Sequence, residues 1–314
     1  MRHRPLGQTG LEVSELALGT WGLSGDGYGP VNEAEQDRVI ERARILGITL
    51  FETADSYAEG AMERRLGRLL AGDPEVHIVT KLGTDLSAVP PRKRFDAKFI
   101  GEALARSAER LGRSRLDVVL LHNPSVAAVE RGAATGRLAE AESEGRIGAW
   151  GISAGSVEMA EAAIAKGARV VSLPYNALWS KDLERLGPAL SRQGVGVLAH
   201  SVLAYGLLAG LWASDKQFAP DDHRAERWTA DDLRRRIGQL QALKPLVGGP
   251  VLSLRAAALR YVLQNSLVSS TVIGPRSSLQ LDQLVREAGK GPPYLPAGEL
   301  GALEGRLREL GVNA

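Results

Sequence analysis

Four side chains that could exchange protons stand at the ends of consecutive predicted strands. Glu52 closes one short apolar run, and Tyr57 follows it by five residues. Lys81 ends the next run, 77–81, and His122 directly follows the run after that. Together they supply a carboxylate, a phenol, an ammonium and an imidazole, which form a proton-donating set.

The chemistry of this set depends on how the phenol is tuned. A free tyrosine, with a pKa of about 10, is a poor acid at neutral pH. We expect the Lys81 ammonium to stabilise the phenolate of Tyr57 and lower its pKa, while Glu52 holds the lysine charged and in place. His122 would orient a carbonyl oxygen toward the phenol. Because none of these groups donates hydride, a reduction at this site requires a cofactor.

A second candidate chemistry rests on a G-x-S-x-G pattern between a predicted strand and a predicted helix, Gly151-Ile152-Ser153-Ala154-Gly155. This is the context of a hydrolase nucleophile elbow. Asp182 or Asp215, followed by His223, would complete the chain order of an α/β-hydrolase triad. The sequence upstream contains no HGGG-type oxyanion motif. A serine hydrolase using Ser153 is therefore the less favoured alternative.

The glycine-rich segment Gly25-Asp26-Gly27-Tyr28-Gly29 is a poor dinucleotide fingerprint, because the third glycine of G-x-G-x-x-G would fall at Pro30. The following helix also begins too late to receive a pyrophosphate at that turn. We interpret the segment as a flexible active-site loop.

Strand-like runs alternate with helix-period segments along the whole chain. The eight runs are 16–19, 49–52, 77–81, 118–121, 147–152, 170–173, 195–199 and 270–273. Asn32 followed by Glu35 has the spacing of a helix capping box. This alternation predicts an α/β fold, a (β/α)8 TIM barrel in one domain over residues 1–314, with an N-terminal β-hairpin closing its bottom.

The connections also predict where the reaction takes place. Long strand-to-helix connections follow four runs, at residues 20–31, 82–95, 122–131 and 201–229, whereas helix-to-strand links are short. In such a barrel the strand-to-helix loops emerge at the carboxyl ends of the strands, where active sites lie.

Composition excludes several classes of protein. The 39 basic and 37 acidic residues leave a formal charge of +2, without the basic stripe of a nucleic-acid surface. Cysteine is absent, which excludes disulfides and thiolate sites and fits a reducing compartment. Residues 194–214 lack charged side chains, but turn-like breaks favour a buried strand and loop over a membrane span. We expect a cytoplasmic protein without a metal site.

Several segments resemble the aldo-keto reductase family over nearly the full length. They are residues 4–14 (RPLGQTGLEVS), 18–22 (LGTWG), 51–57 (FETADSY), 79–81 (VTK), 120–124 (LLHNP), 145–153 (GRIGAWGIS) and 271–278 (TVIGPRSS). The resemblance implies a barrel that binds NADP(H) and transfers hydride to the carbonyl of an aldehyde or ketone. It also implies that Tyr57 is the general acid, Lys81 its pKa tuner, His122 the substrate-orienting residue and Glu52 the partner of Lys81.

The same resemblance implies a set of cofactor-binding residues. They are Thr20, Trp21, Ser153, Ser172, His200, Ser201, Leu203, Gly274, Arg276, Ser277, Gln280 and Gln283. Arg276 suits the 2′-phosphate because a guanidinium grips phosphate oxygens with paired hydrogen bonds. Ser277, Ser278 and a helix N-terminus stand beside it.

Four positions depart from the family pattern around the expected nicotinamide site. Glu52 stands for aspartate, Ala154 for asparagine, Ser172 for glutamine and His200 for a stacking aromatic that is commonly tyrosine. One interpretation is a reductase reshaped for an unusual carbonyl or imine. The alternative is a cofactor-binding regulatory barrel with weak activity. Retention of Tyr57, Lys81 and His122 favours the reductase.

Overall fold

Eight parallel strands form a closed barrel in the computed structural model, which describes residues 1–296 and 298–312. The barrel strands are β3 (Leu16–Gly19), β4 (Leu50–Glu52), β5 (His77–Leu82), β8 (Leu116–His122), β9 (Ile147–Ser153), β10 (Val170–Pro174), β11 (Gly196–His200) and β12 (Ser270–Ile273). Two short hairpins make up the other strands, β1 (His3–Pro5) with β2 (Glu12–Ser14), and β6 (Thr84–Asp85) with β7 (Arg92–Lys93). Every predicted run coincides with a barrel strand to within about two residues at each end.

Neighbours around the barrel follow the order β10-β11-β12-β3-β4-β5-β8-β9, so the last barrel strand pairs with the first. Val272 lies opposite Ala17 at that seam, and Ser270 Oγ donates to the Ser14 carbonyl oxygen at 2.7 Å. On the other side of β3, Gly19 lies opposite Glu52. The predicted TIM barrel is confirmed.

Helices cover the outside of the barrel and connect its strands. They are α1 (Trp21–Ser24), α2 (Glu33–Ile45), α3 (Ala61–Leu70), α4 (Ala97–Leu111), α5 (Val126–Glu130), α6 (Ala133–Ser143), α7 (Val157–Ala165), α8 (Lys181–Gln193), α9 (Ala230–Gln239), α10 (Leu254–Gln264), α11 (Ser278–Ala288) and α12 (Glu299–Glu309). Three 3-10 segments accompany them, Tyr57–Gly60, Ala204–Ala209 and Leu240–Leu246. Within the described residues no helix is long and apolar enough to cross a membrane.

The helix boundaries follow local capping chemistry. Asn32 Oδ1 accepts the Glu35 amide at the start of α2, and Asp96 Oδ1 accepts the Phe99 amide at the start of α4. Gly112 ends α4 in the left-handed conformation, which glycine adopts without steric cost. The Glu35 side chain does not complete the predicted capping box, because it binds α11 instead.

The β1–β2 hairpin plugs the amino end of the barrel. Leu6 and Val13 are fully buried and pack with strand residues such as Leu50, Val118 and Leu198 inside the barrel. Burying each such side chain contributes roughly 1.5–3 kcal/mol. The predicted closing hairpin is confirmed, and the opposite, carboxyl end of the barrel is left for the long loops.

Candidate active site

The predicted acid and its partners meet at the carboxyl end of three neighbouring strands. Glu52 ends β4, Lys81 lies near the end of β5, and His122 ends β8. Lys81 Nζ donates to the Tyr57 hydroxyl at 2.9 Å and to the Thr53 carbonyl oxygen at 3.0 Å, and it is ion-paired with Glu52. The structure therefore joins the carboxylate, the ammonium and the phenol in one chain of contacts.

His122 completes the set from the next strand. Its ring centroid lies 6.1 Å from that of Tyr57, with the two planes at 84°. Lys81 Nζ lies 4.6 Å from the Tyr57 ring centroid. A carbonyl oxygen placed in the cavity could thus meet the phenol and the imidazole together.

Burial controls the protonation of the Tyr57–Lys81 pair. Lys81 and Glu52 are only 3% and 5% exposed. Burial holds the pKa of Lys81 well below its usual value, with the Lys93 charge acting in the same direction, whereas the ion pair with Glu52 favours the ammonium form. Burial also raises the pKa of Tyr57, and the charges of Asp26 and Asp55 add to it. The pKa of Tyr57 is therefore higher than the sequence predicts, because burial of the phenol is the largest influence on it.

The two histidines of the site are neutral at physiological pH. Burial, followed by the Lys81 charge, holds the pKa of His122 well below its usual value. The same two causes lower the pKa of His200 to about 3. His200 therefore stays uncharged, because its ring is buried close to the Lys81 cation. His200 Nδ1 lies 3.0 Å from Ser201 Oγ.

The backbone directly after Tyr57 adopts an uncommon conformation. Ala58, Glu59 and Gly60 have φ values of 46°, 51° and 81°. Left-handed backbone costs non-glycine residues roughly 1–2 kcal/mol each. At Gly60 the φ of 81° favours glycine, and a Cβ would lie 2.7 Å from Arg110 Nε, which would have to move. The left-handed turn thus connects Tyr57 directly to α3.

A cavity of about 980 Å³ opens beside these groups and takes in Tyr57, Lys81, His122 and Glu52. Eight of the predicted cofactor-binding residues line it: Trp21, Ser153, His200, Ser201, Leu203, Gly274, Arg276 and Gln280. Its wall joins the ends of β3, β9, β11 and β12 to the long loops. One continuous space thus runs from the predicted acid to the predicted phosphate-binding arginine.

Four predicted cofactor-binding residues do not line this cavity: Thr20, Ser172, Ser277 and Gln283. Thr20 is fully buried, and its hydroxyl donates to the Glu52 carbonyl oxygen. This hydrogen bond ties the end of β3 to the end of β4. Ser277 caps α11 by accepting the Gln280 amide. Ser172 is fully buried opposite Ser153 in the sheet, and its Oγ finds no hydrogen-bond partner among the described residues.

Arg276 is held by the loop after β3. Its guanidinium donates to the carbonyl oxygens of Gly22, Gly29 and Pro30 at 3.2, 2.8 and 3.2 Å. The predicted loop 25–29 therefore borders the cavity.

The amide at the N-terminus of α11 is also engaged. Glu35 Oε1 accepts the Ser278 amide at 2.7 Å and the Ser278 hydroxyl at 3.0 Å. The Glu35 carboxylate thus occupies the helix N-terminus that the sequence predicts to take part in binding the 2′-phosphate.

The Ser153 hydrolase triad is not assembled. Ser153 Oγ donates to Asn123 Oδ1 at 3.4 Å. His223 packs instead among the rings of Trp21, Tyr28 and Tyr205, at 4.8, 4.6 and 5.2 Å between centroids. A general base within hydrogen-bonding reach of the serine is required for nucleophilic catalysis, so this alternative lacks its geometry.

Two residues near the site escaped the sequence reasoning. Asn123 follows His122 directly, and its left-handed φ of 50° brings its amide to Ser153. The sequence signal was the asparagine itself, since asparagine tolerates this backbone region. Asp26 reaches the Tyr57 turn from a distant loop, and no local pattern in the sequence indicates that contact.

The arrangement is similar to known proteins. The model of a family described as "Aldo/keto reductase family" matches residues 15–289. The L-glyceraldehyde 3-phosphate reductase of Escherichia coli (strain K12) is 28% identical over 306 residues, covering 91% of this chain and 87% of that protein. A probable voltage-gated potassium channel subunit beta of Oryza sativa subsp. japonica is 28% identical over 302 residues, covering 90% and 89%.

Solved structures agree on the architecture. A glycerol dehydrogenase from Gluconobacter oxydans superposes with a TM-score of 0.86 at 24% identity, covering 99% of this chain and 97% of that one. At this identity the likeness establishes the fold.

Proposed function

Because the chain belongs to the aldo/keto reductase family, and is therefore an oxidoreductase that uses a nicotinamide cofactor on small carbonyl compounds, we propose that it is an NADP(H)-dependent reductase with Tyr57 as general acid. Its substrate would be an aldehyde or ketone, which it converts to the alcohol. The observation that carries this proposal is the 2.9 Å contact between Lys81 Nζ and the Tyr57 hydroxyl beside the cavity.

The chain's own residues would manage the proton. Tyr57 is protonated at neutral pH, as an acid must be before the reaction, and burial raises its pKa further above the usual value. As the phenol gives its proton to the carbonyl oxygen, the Lys81 ammonium stabilises the phenolate left behind, and Glu52 keeps that ammonium charged. Neutral His122 can donate one hydrogen bond that orients the same oxygen. A nicotinamide cofactor, when bound, would supply the hydride.

The residues around the cavity fit an extended dinucleotide. Ser153 lines the space and can serve the carboxamide, whereas Ser172 beside it is fully buried and does not line the cavity. His200 offers a neutral ring for stacking, although over a smaller area than tyrosine. At the far end Arg276 would bind the 2′-phosphate, exchanging its loop carbonyl partners for phosphate oxygens.

A cofactor-binding regulatory role is the second candidate. The similarity to a probable potassium channel subunit beta and the departures at Glu52, Ala154, Ser172 and His200 support it. The assembled Tyr57–Lys81–His122 geometry favours catalysis instead. Tight NADPH binding without NADPH oxidation across a panel of aldehydes, ketones and quinones would support the regulatory role.

Tyr57→Phe tests the reductase directly. Loss of the acid should lower the rate of carbonyl reduction by roughly 10²–10⁴-fold. NADPH affinity, measured by quenching of tryptophan fluorescence with Trp21 at the cavity wall, should change by less than about twofold. Tyr175→Phe is the matched control, because this hydroxyl accepts from Asn265 and does not line the cavity. Turnover by Tyr57→Phe at the parental rate would reject the assignment of the acid.

A further inference from the structure

A carboxylate outside the predicted catalytic set reaches the Tyr57 segment from another loop. Asp26 lies between α1 and α2, and its Oδ2 accepts a hydrogen bond from the Ala58 amide at 2.8 Å. Ala58 directly follows Tyr57 and begins the left-handed turn. The contact therefore fixes the backbone one residue away from the phenol.

The other side of Tyr57 is tied to the lysine strand. The Asp55 amide donates to the Lys81 carbonyl oxygen at 2.9 Å. Tyr57 is thus held between a backbone contact that precedes it and the Asp26 contact that follows it. The left-handed conformation of Ala58 and Glu59 is energetically costly and persists only where surrounding contacts hold it. Loss of the Asp26 hydrogen bond would remove one of those contacts.

The loop that carries Asp26 is itself anchored. The Asp26 amide donates to Ser24 Oγ, which donates in turn to the Trp21 carbonyl oxygen at 2.8 Å. The Gly27 carbonyl oxygen accepts the His223 amide at 2.9 Å, and Gly29 accepts from Arg276. The carboxylate is consequently held from its own side as well as at Ala58, although its side chain is exposed.

We propose that Asp26 is a positioning residue for Tyr57, which it holds against Lys81 by accepting the Ala58 amide. This inference rests on the proposed role of Tyr57 as the general acid. Asp26 lines the same cavity, and its hydrogen bond to this segment goes to the Ala58 amide and not to the phenol hydroxyl, so it acts through the backbone.

The charge of Asp26 gives a second, separable signature. The ionisable groups that act on Tyr57 are Lys81, Asp26, Asp55, Tyr28 and the neutral His122. Burial is the main cause of the raised pKa of Tyr57, and the Asp26 charge acts in the same direction. Removing this charge should lower that pKa.

Two variants separate the hydrogen bond from the charge. Asp26→Asn keeps an acceptor for the Ala58 amide, whereas Asp26→Ala removes acceptor and charge together. In single-turnover reduction of 4-nitrobenzaldehyde by NADPH, we expect Asp26→Ala to lose about 10–100-fold in rate, since misplacement by about 1 Å costs that much. Asp26→Asn should stay within about threefold of the parent at neutral pH. NADPH affinity should be unchanged in both.

Glu59→Gln is the matched control, because Glu59 is an exposed acid in the same turn whose charge does not act appreciably on Tyr57. It should leave the rate unchanged. Equal losses in Asp26→Asn and Asp26→Ala, a parental rate in Asp26→Ala, or a comparable loss in Glu59→Gln would each overturn the proposal.

A measurement without cofactor keeps the inference independent of turnover. In the protein labelled with [13Cζ]tyrosine, Tyr57→Phe identifies the Tyr57 resonance. Asp26→Ala should shift or broaden that resonance, whereas Asp26→Asn should move it much less and Glu59→Gln not at all. An unchanged resonance in Asp26→Ala would refute the positioning role. Full turnover by Tyr57→Phe would instead refute the proposed function.

Discussion

Asp55 lies two residues before Tyr57 and is only 6% exposed. Its Oδ2 accepts one long hydrogen bond, from the Gly83 amide at 3.4 Å, and its Oδ1 has no partner among the described residues. Burial raises the pKa of this carboxyl to about 7, and the Glu63 charge adds to the rise, while Arg110 and Lys93 oppose it. The folded protein therefore retains a proton here that the unfolded chain releases.

This pKa predicts a specific dependence of stability on pH. The unfolded carboxyl titrates near 3.9. Between about pH 4 and pH 7 the folded state binds more protons, so the Asp55 contribution to stability falls as pH rises and then levels off. Asp55→Asn should gain about 3 kcal/mol relative to the parent between pH 5 and pH 8, measured by urea unfolding.

Asp215→Asn provides the control for this experiment, because it removes an exposed aspartate. Its unfolding free energy should run parallel to that of the parent across the same range. Parallel curves for Asp55→Asn would contradict the retained proton.

At single residues, the sequence predicted which side chains meet better than it predicted their pKa values. Residue types at strand ends indicated that Glu52, Lys81 and Tyr57 would meet, and they do. The direction of the Tyr57 pKa shift was missed, because burial depends on loops that arrive from elsewhere in the chain. The Asp26 contact was missed for the same reason.

Among the elements, strands were predictable and loop contacts were not. A strand that is buried on both faces of a parallel barrel has a nearly continuous apolar sequence. All eight barrel strands could therefore be recognised in the sequence. The partners of the 25–29 loop were not visible, because Arg276 lies about 250 residues further along the chain. Glu35 likewise has the spacing of a local cap but binds a helix that follows far later.

Close strand packing makes one glycine indispensable. A Cβ at Gly151 in β9 would lie 1.9 Å from the Val170 carbonyl oxygen of β10. Gly151→Ala should lower the free energy of unfolding by about 3 kcal/mol or more, since backbone must shift to make room. Gly136→Ala, at an open position in α6, should instead raise it by about 0.5–1 kcal/mol. Urea unfolding of the two variants compares them, and equal effects would argue against this strand contact.

Across the whole molecule, the proposed choice of NADP(H) would depend on α2 as well as α11. In the proposed site Arg276 would favour a 2′-phosphate, whereas the Glu35 carboxylate on the Ser278 amide would oppose one. We expect NADPH to raise the melting temperature more than NADH at equal concentration, because binding stabilises the folded state in proportion to the logarithm of affinity. Arg276→Ala should erase this difference, and Glu35→Gln should widen it by strengthening NADPH binding alone.

Glu41→Gln is the control for that comparison, since it removes an exposed acid from the same helix. A merely structural tie between α2 and α11 would make Glu35→Gln weaken both cofactors equally. Equal stabilisation of the parent by NADPH and NADH would remove the case for Arg276.

The seam between β12 and β3 has a consequence for biosynthesis. Strand β3 forms within the first twenty residues, yet its partner on one side is made only when residues 270–273 have been translated. Until then the emerging chain carries an uncovered strand edge, which can pair with other chains. Nascent polypeptides arrested before residue 270 should therefore depend on chaperones far more than those released after it.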